Sequence, residues 1–426
     1  MPRSPRPVVL LLSVLSMAIA CKPTAEGGSP EDAAVGRDLA TAAAAVDLSM
    51  SDPGAPLPAL PLRTQGRFIL DARGQRLKLA AVNWYGAEEK DYVVAGLDLA
   101  PLPELARRIR QLGYNAVRLP WSNQMYEQNP LIDDALLQKN PTLRGQRALA
   151  VLDAVIAELA RQGLLVILDN HTSDAGWCCS DLDQNGLWWN SRYSELDWIS
   201  DWRAMVHRYR EQPAVVGVDL RNEPRAASGR SPTWGGAEPS LDWKRAAGSC
   251  AEEILKLNPN LLIFVEGLNY STDFGGVYTD PLQLSVAGRL VYSPHDYAWF
   301  HNGLSSYAEL KTALGNRWGF LLVQGKPYTA PVWVGEFGTC HSGADCIDGP
   351  EGTSSQGLWF TGIRRYLDEA DIDWAYWALN GTQARGTGRT YGAEESYGIL
   401  DPSWQRPALA ALQSALAALQ PVRQGP

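Results

Sequence analysis

Two glutamates set the chemistry this sequence could perform. Glu223 closes the segment Asp219-Leu-Arg-Asn-Glu223-Pro224, and Glu336 stands 113 residues later in Val332-Trp-Val-Gly-Glu336-Phe-Gly338. Each follows a short run of Val, Leu or Trp, the position at which a parallel barrel carries a residue to the mouth of its site. A pair of carboxyls so placed could cleave a glycosidic bond. One would protonate the leaving oxygen while the other met the positive charge developing on the sugar.

Such a pair needs a frame that brings distant parts of the chain together. From Arg67 onward, short Val/Ile/Leu-rich runs alternate with longer amphipathic stretches. Eight runs read as strands: Leu79 to Trp84, Ala116 to Pro120, Leu164 to Asn170, Val215 to Arg221, Leu261 to Glu266, Leu290 to Pro294, Val332 to Glu336 and Trp374 to Leu379. Helical periodicity falls between them, as in Leu102 to Leu112, Ala148 to Gln162 and Trp243 to Leu257. This alternation predicts an α/β fold of parallel strands with right-handed crossovers, a (β/α)8 TIM barrel with long loops at the site. Phe68 to Lys78 reads as an N-terminal hairpin turning at Arg73-Gly74 and lying on the barrel floor.

Polar and aromatic residues recur where these strands end: Arg118, Asn170-His171, Asn222-Glu223, His295-Asp296-Tyr297, Glu336 and Trp377. A lone Glu or His at such a place is more often an ion-pair partner or a satisfied structural residue. Repetition over six strand ends is harder to explain that way, because barrel enzymes assemble sites from several strand ends at one face. Trp84, Trp121, Trp177, Trp188, Trp189 and Trp299 lie near the same ends and could stack on sugar rings. The spacing Asp181-x-Asp183-x-Asn185-Gly186 mimics a calcium loop, but Arg192 stands where the closing Glu belongs.

Composition narrows the partners. A net charge of -9 argues against nucleic acid or an anionic membrane surface as the main partner, and 16 Trp against 7 Phe mildly supports carbohydrate, since the flat indole ring stacks on sugar faces. Arg3 and Arg6 precede the apolar run Val8 to Ala20, so residues 1–20 read as an export signal. Ala18-Ile-Ala-Cys21 resembles a bacterial lipoprotein cleavage site, with lipid expected on Cys21 and plain secretion as the alternative. The expected location is an outer or cell membrane, or the exterior. Residues 21–62, dense in Ala, Pro, Gly and Ser, read as a flexible tether, and residues 63–426 as the catalytic domain. Export permits disulfides, and Cys340 and Cys346 are close enough to close a small loop beside Glu336. Cys178, Cys179 and Cys250 remain, with at least one cysteine unpaired within the chain. The Cys340-x5-Cys346 spacing with His341 between has no second ligand pair, so no metal is expected.

Taken with their context, these motifs resemble glycoside hydrolase family 5, the cellulase-like family of retaining (β/α)8 enzymes. The resemblance rests on Val216-Gly-Val-Asp-Leu-Arg-Asn-Glu-Pro224 and Trp333-Val-Gly-Glu-Phe-Gly338. Supporting matches are Ala116-Val-Arg-Leu-Pro120, Leu168-Asp-Asn-His171, Ser293-Pro-His-Asp-Tyr297 and Ala375-Tyr-Trp-Ala378. It implies Glu223 as acid and then base, and Glu336 as nucleophile. It further implies Asn222 on the sugar 2-hydroxyl, Arg118 and Tyr297 holding Glu336, His171 and His295 orienting the carboxylates, and Trp377 as the floor of a subsite. It requires no cofactor.

The expected activity is therefore hydrolysis of a β-linked polysaccharide, of endo-β-glucanase or β-mannanase type, by a monomer. An exo-acting or glycolipid-directed enzyme, or a transglycosylase, would use the same site. Two other classes compete: an inactive membrane-tethered carbohydrate binder, which would have no need of both glutamates, and a metal-dependent hydrolase built on His171, His295 and Asp296.

Overall fold

The computed structural model describes residues 57–421 apart from Asp181 and Gly343. The apolar run 8–20, Cys21 and most of the expected tether lie outside the described residues.

Eight parallel strands form the barrel: β3 (Ala80–Asn83), β4 (Ala116–Ser122), β5 (Leu165–Thr172), β6 (Val215–Asp219), β7 (Leu262–Val265), β8 (Leu290–Tyr292), β9 (Trp333–Phe337) and β10 (Asp373–Tyr376). Neighbours pair in the order β8-β7-β6-β5-β4-β3-β10-β9. Parallel bridges Tyr292 to Val332 and His295 to Glu336 join the two ends of that order and close the ring. Nearly every strand residue is buried, as expected of parallel strands with the barrel interior on one side and helices on the other.

The helices start and stop where local chemistry directs. In Leu102–Gln111, Pro101 precedes the first turn, Glu104 lies in that turn, and Leu102, Leu105, Ala106 and Ile109 form the buried stripe. Glu195–Tyr209 opens with a reciprocal capping box between Ser194 and Asp197. The apolar layer between these helices and the barrel is the main core, and Trp198, Trp202 and Trp243 are buried in it.

A second apolar cluster fills the inside of the barrel at its floor. Leu79, Ala81, Ile167, Phe264, Val291 and Trp333 belong to it, with the Phe264 and Trp333 ring centroids 4.8 Å apart. Ile69 and Leu62 close this cluster from below, so the hairpin region does cover the floor. Its strands differ from those expected. The paired strands are β1 (Arg63–Gln65) and β2 (Phe68–Leu70), turning at Gly66 with φ +56°. The 71–75 turn adds only a bridge from Leu70 to Arg76, because Asp71 takes the amides of Arg73 and Gln75 on one oxygen. Packing also begins earlier than the 21–62 tether assignment. Leu57 and Leu60 rest on the floor cluster and Leu62 is fully buried, so these leucines add apolar cover to an otherwise open barrel end.

Candidate active site

Above the apolar floor the barrel interior turns polar. Arg118, on β4, is completely buried and lies within 3.0 Å of carboxylate oxygens on Asp169, Asp219 and Glu266 and 2.8 Å from Glu336. Its remaining N–H groups donate to the side-chain oxygens of Asn83 and Asn222, at 3.1 and 3.0 Å. One guanidinium thus ties together side chains from β3, β4, β5, β6, β7 and β9 or the residues just after them. Burial alone would lower its pKa, but Asp169, Asp219, Glu336 and Glu266 together hold it well above the ordinary value. The guanidinium lies 3.0 Å from each of Asp169, Asp219 and Glu266, so that acidic cluster already holds a cation of the protein's own.

The second buried base is His295, just beyond β8. Its Nδ1 lies 3.0 Å from Glu223 and 3.7 Å from Glu336, and its Nε2 lies 3.3 Å from Glu266. Burial opposes a charge on this ring, yet Glu266, Glu336 and the hydrogen bond with Glu223 raise its pKa well above 6.5. The carboxylates shift upward too, because burial outweighs the pull of Arg118 and His295. Burial pushes Asp219 and Glu266 up to about 7 and Asp169 to about 6.

The two glutamates face one another over this layer. An oxygen of Glu223 and an oxygen of Glu336 lie within 4.8 Å of each other, with His295 beside both. Glu336 is held at both oxygens, Oε1 by Arg118 at 2.8 Å and Oε2 by the Tyr297 hydroxyl at 3.0 Å. Burial pushes its pKa up, and His295 and Arg118 pull against that. Burial and Glu336 keep the Tyr297 hydroxyl protonated, so it donates. Glu223 has φ +48°, a left-handed conformation uncommon for a residue with a side chain. That turn sends its amide back to Glu266 Oε2 at 2.7 Å while the side chain rises into the cleft.

The cleft has a volume of about 520 Å³ and is lined by Glu223, Glu336, Asn222, His171, Tyr297, Trp299 and Trp377 among others. Asn222 has its oxygen on Arg118, which turns its NH2 toward the cleft wall. His171 gives Nδ1 to Asp169 at 2.6 Å and stacks on Trp377, with centroids 5.4 Å apart. Burial lowers its pKa to about 3, so the ring is neutral and its Nε2 can accept. Trp377 also stacks almost parallel on Tyr85 at 5.4 Å, and Tyr297 stacks on the half-exposed Trp299 at 4.3 Å.

Nine of the ten expected site residues therefore meet in or under one cleft. Trp84 does not. It is fully buried in the outer core and donates Nε1 to the Ala95 carbonyl. Strand alternation explains the error: Asn83 points into the barrel, so Trp84 faces the helices, and Tyr85 is the residue that reaches the cleft side. Trp121 and Trp188 are likewise buried, and of the additional tryptophans Trp177 lines the cleft. Asp296 is turned to His301 and the Trp359 indole, both at 2.8 Å, so it does not converge with His171 and His295 on a metal position.

Cys340 and Cys346 are joined, with Cα atoms 5.3 Å apart, and Cys250 is buried and free. The neighbours Cys178 and Cys179 are joined to each other and line the cleft. Asp183 is occupied by the Arg225 guanidinium and the amides of Ser180 and Asn185, which leaves the calcium-like spacing without its carboxylate; Asp181 lies outside the described residues.

Sequence reasoning missed Asp169, Asp219 and Glu266, although each is a charge ending an apolar run, which is a visible signal of an inward polar layer. It also missed Arg389 and Glu395, which wall the cleft near Trp177 and Tyr85. They sit in a Gly-rich loop with no periodicity to place them.

Comparison with known proteins agrees with this architecture. A family model described as cellulase (glycosyl hydrolase family 5) matches residues 70–383. An endoglucanase of Paenibacillus polymyxa is 33% identical over 335 residues, covering 74% of this chain and 79% of that protein. The major extracellular endoglucanase of Xanthomonas campestris pv. campestris is 30% identical over 335 residues, covering 74% of this chain and 64% of the relative. Among solved structures, a hyperthermophilic endocellulase from Pyrococcus horikoshii superposes with a TM-score of 0.71 at 26% identity, covering 86% of this chain and 100% of that one. A closed (β/α)8 barrel with two facing glutamates at its mouth, matched along most of its length by this family, places the chain in glycosyl hydrolase family 5 as a β-glycoside hydrolase.

Proposed function

We propose that this protein cleaves β-1,4-linked glucan within its chains, with retention of configuration, by double displacement on Glu336 and Glu223. The observation that carries the reading is the short gap between two differently held carboxyls. Their oxygens lie within 4.8 Å. That matches the roughly 5–5.5 Å class of retaining enzymes and leaves no room for the water that an inverting pair, about 6.5–9.5 Å apart, must hold.

The environments assign the roles. Glu336 receives two donors, from Arg118 and Tyr297, which aim and stabilise an anion. It is the nucleophile: one oxygen bonds the anomeric carbon as the glycosidic C–O bond breaks. Glu223 gives its proton to the departing oxygen in the same step. In the second step Glu223, now a carboxylate, takes a proton from water, the water oxygen bonds the anomeric carbon, and Glu336 leaves. His295, between both carboxyls, adjusts to the charge that moves from one to the other. Asn222 gives its NH2 to the 2-hydroxyl, and Trp377 floors the subsite of the reacting sugar.

Glucan is favoured because the Paenibacillus and Xanthomonas relatives are endoglucanases and variants of the Pyrococcus endocellulase form complexes with cellotetraose. Mannan is the second reading, supported by a mannan endo-1,4-beta-mannosidase of Aspergillus clavatus, 25% identical over 221 residues. Export with lipid on Cys21 completes the proposal, and the two disulfides suit an oxidising compartment.

The test is product analysis on β-glucan, mannan, xylan and xyloglucan, with NMR of the first anomer formed. The β-anomer and a ladder of cello-oligosaccharides are expected. Glu223→Gln should slow turnover by about 10²–10⁴-fold, less for an activated aryl aglycone that leaves unaided. Glu336→Gln should be inactive on both substrates. An α-anomer first product, or normal turnover by either variant, overturns the assignment.

A further inference from the structure

The loop after β5 contains an element that the proposed chemistry does not use. Cys178 and Cys179, joined to each other, form part of the cleft wall, and their sulfurs lie 3.4 and 3.5 Å from the Asn222 side-chain nitrogen. Asn222 is fixed on its other side by Arg118, so its amide group is gripped between a guanidinium and two sulfurs. A disulfide sulfur is a weak acceptor. It can hold the NH2 in place in the empty cleft and yield it to a sugar hydroxyl without a strong bond being broken.

We propose that the Cys178–Cys179 disulfide is a positioning group that holds Asn222 for the 2-hydroxyl of the reacting sugar. The proposal rests on the role given to Asn222 above. Two thiols cannot share the space of one disulfide: on reduction the sulfurs must part to van der Waals contact, and one is driven against Asn222 or into the cleft. Full activity on a substrate with a 2-hydroxyl then requires the oxidised pair.

The experiment compares wild type and Cys178→Ala/Cys179→Ala on an aryl β-cellobioside and on its analogue lacking the 2-hydroxyl of the reacting sugar. The expected result is a fall in kcat of about five- to tenfold on the normal substrate, the effect of one hydrogen bond, with KM little changed and less than twofold loss on the deoxy analogue. Equal losses on both substrates, or no loss, overturn the proposal. If the variant does not fold, the same comparison is made in a Cys340→Ser/Cys346→Ser background before and after a water-soluble phosphine. The phosphine is oxidised to its oxide, with oxygen from water, as the disulfide gains two electrons and two protons. Failure of the underlying reading is separate: it shows as activity in Glu223→Gln or Glu336→Gln, whatever the cysteines do.

Discussion

Replacement of Arg118 by Gln tests the polar layer as a unit. The guanidinium is buried and pairs with Asp169, Asp219 and Glu266 at 3.0 Å and Glu336 at 2.8 Å. At an effective dielectric of about 20, each ionised partner about 4 Å from the charge contributes ~4 kcal/mol of attraction before desolvation is subtracted. Removing one partner of a buried pair costs about 3–5 kcal/mol, against a total domain stability of about 5–15 kcal/mol. Arg118→Gln should therefore still fold, with much of its margin gone. Turnover should fall as well, because the charged hydrogen bond to Glu336 is worth about 1.5–3 kcal/mol, or roughly 10- to 150-fold. The pH profile separates the two effects. Burial already pushes Glu336 up and Arg118 opposes it, so the variant's acid limb of kcat/KM moves to higher pH. Urea unfolding gives the stability change, and aryl-cellobioside kinetics from pH 4 to 9 give the rest. A variant with an unchanged unfolding midpoint and kcat within twofold of wild type would falsify the view that this residue organises the site.

Two other perturbations probe the same frame. Burial raises Glu88, which sits in the loop after β3 and takes the Gly86 amide on its carboxyl, to about 8, and Asp219 and Glu266 to about 7, while it lowers His171 to about 3. The raised carboxyls stabilise the fold fully below their unfolded value of about 4, and that contribution fades as pH rises through about 7 to 8. His171 acts oppositely, but only below its unfolded value of about 6.5. Above that point His295, whose pKa is held above 6.5, acts in the same direction as the carboxyls, so calorimetry should show the melting temperature falling between pH 6.5 and 8.5, with a shallower fall in Glu88→Gln; a rise would contradict the assignment. Trp299→Ala removes a half-exposed ring stacked on Tyr297. Loss of one stacking surface worth about 0.5–1.5 kcal/mol should raise KM for cello-oligosaccharides about two- to twelvefold at nearly constant kcat, and a larger fall in kcat than rise in KM would mean that Trp299 positions Tyr297 instead.

The barrel was legible because strands and helices carry their own periodicities. Expected and observed strands agree to within a few residues, and the (β/α)8 ring followed from counting eight of them. The glutamates were legible because each interrupts the texture of its strand end. What stayed hidden depended on direction and distance. Trp84 and Tyr85 are neighbours in sequence, and only the in-out alternation fixed by Asn83 decides which one reaches the cleft. Asp169, Asp219 and Glu266 show their purpose only once three strands bring them to one guanidinium. The Cys178–Cys179 pair was invisible for a different reason: pairing between sequence neighbours depends on the local path of a loop that no pattern prescribes.

Glu223 takes its direction from the main chain. A left-handed backbone at a residue with a side chain costs of order 1–3 kcal/mol, and only glycine escapes it. Glycine there would also remove a carboxyl from beside Glu336. At position 223 a search for heat-resistant variants and a search for active ones consequently pull in opposite directions. Survivors of a purely thermal screen would accumulate chains that have lost the acid, so directed evolution of this enzyme has to score turnover and stability in the same round.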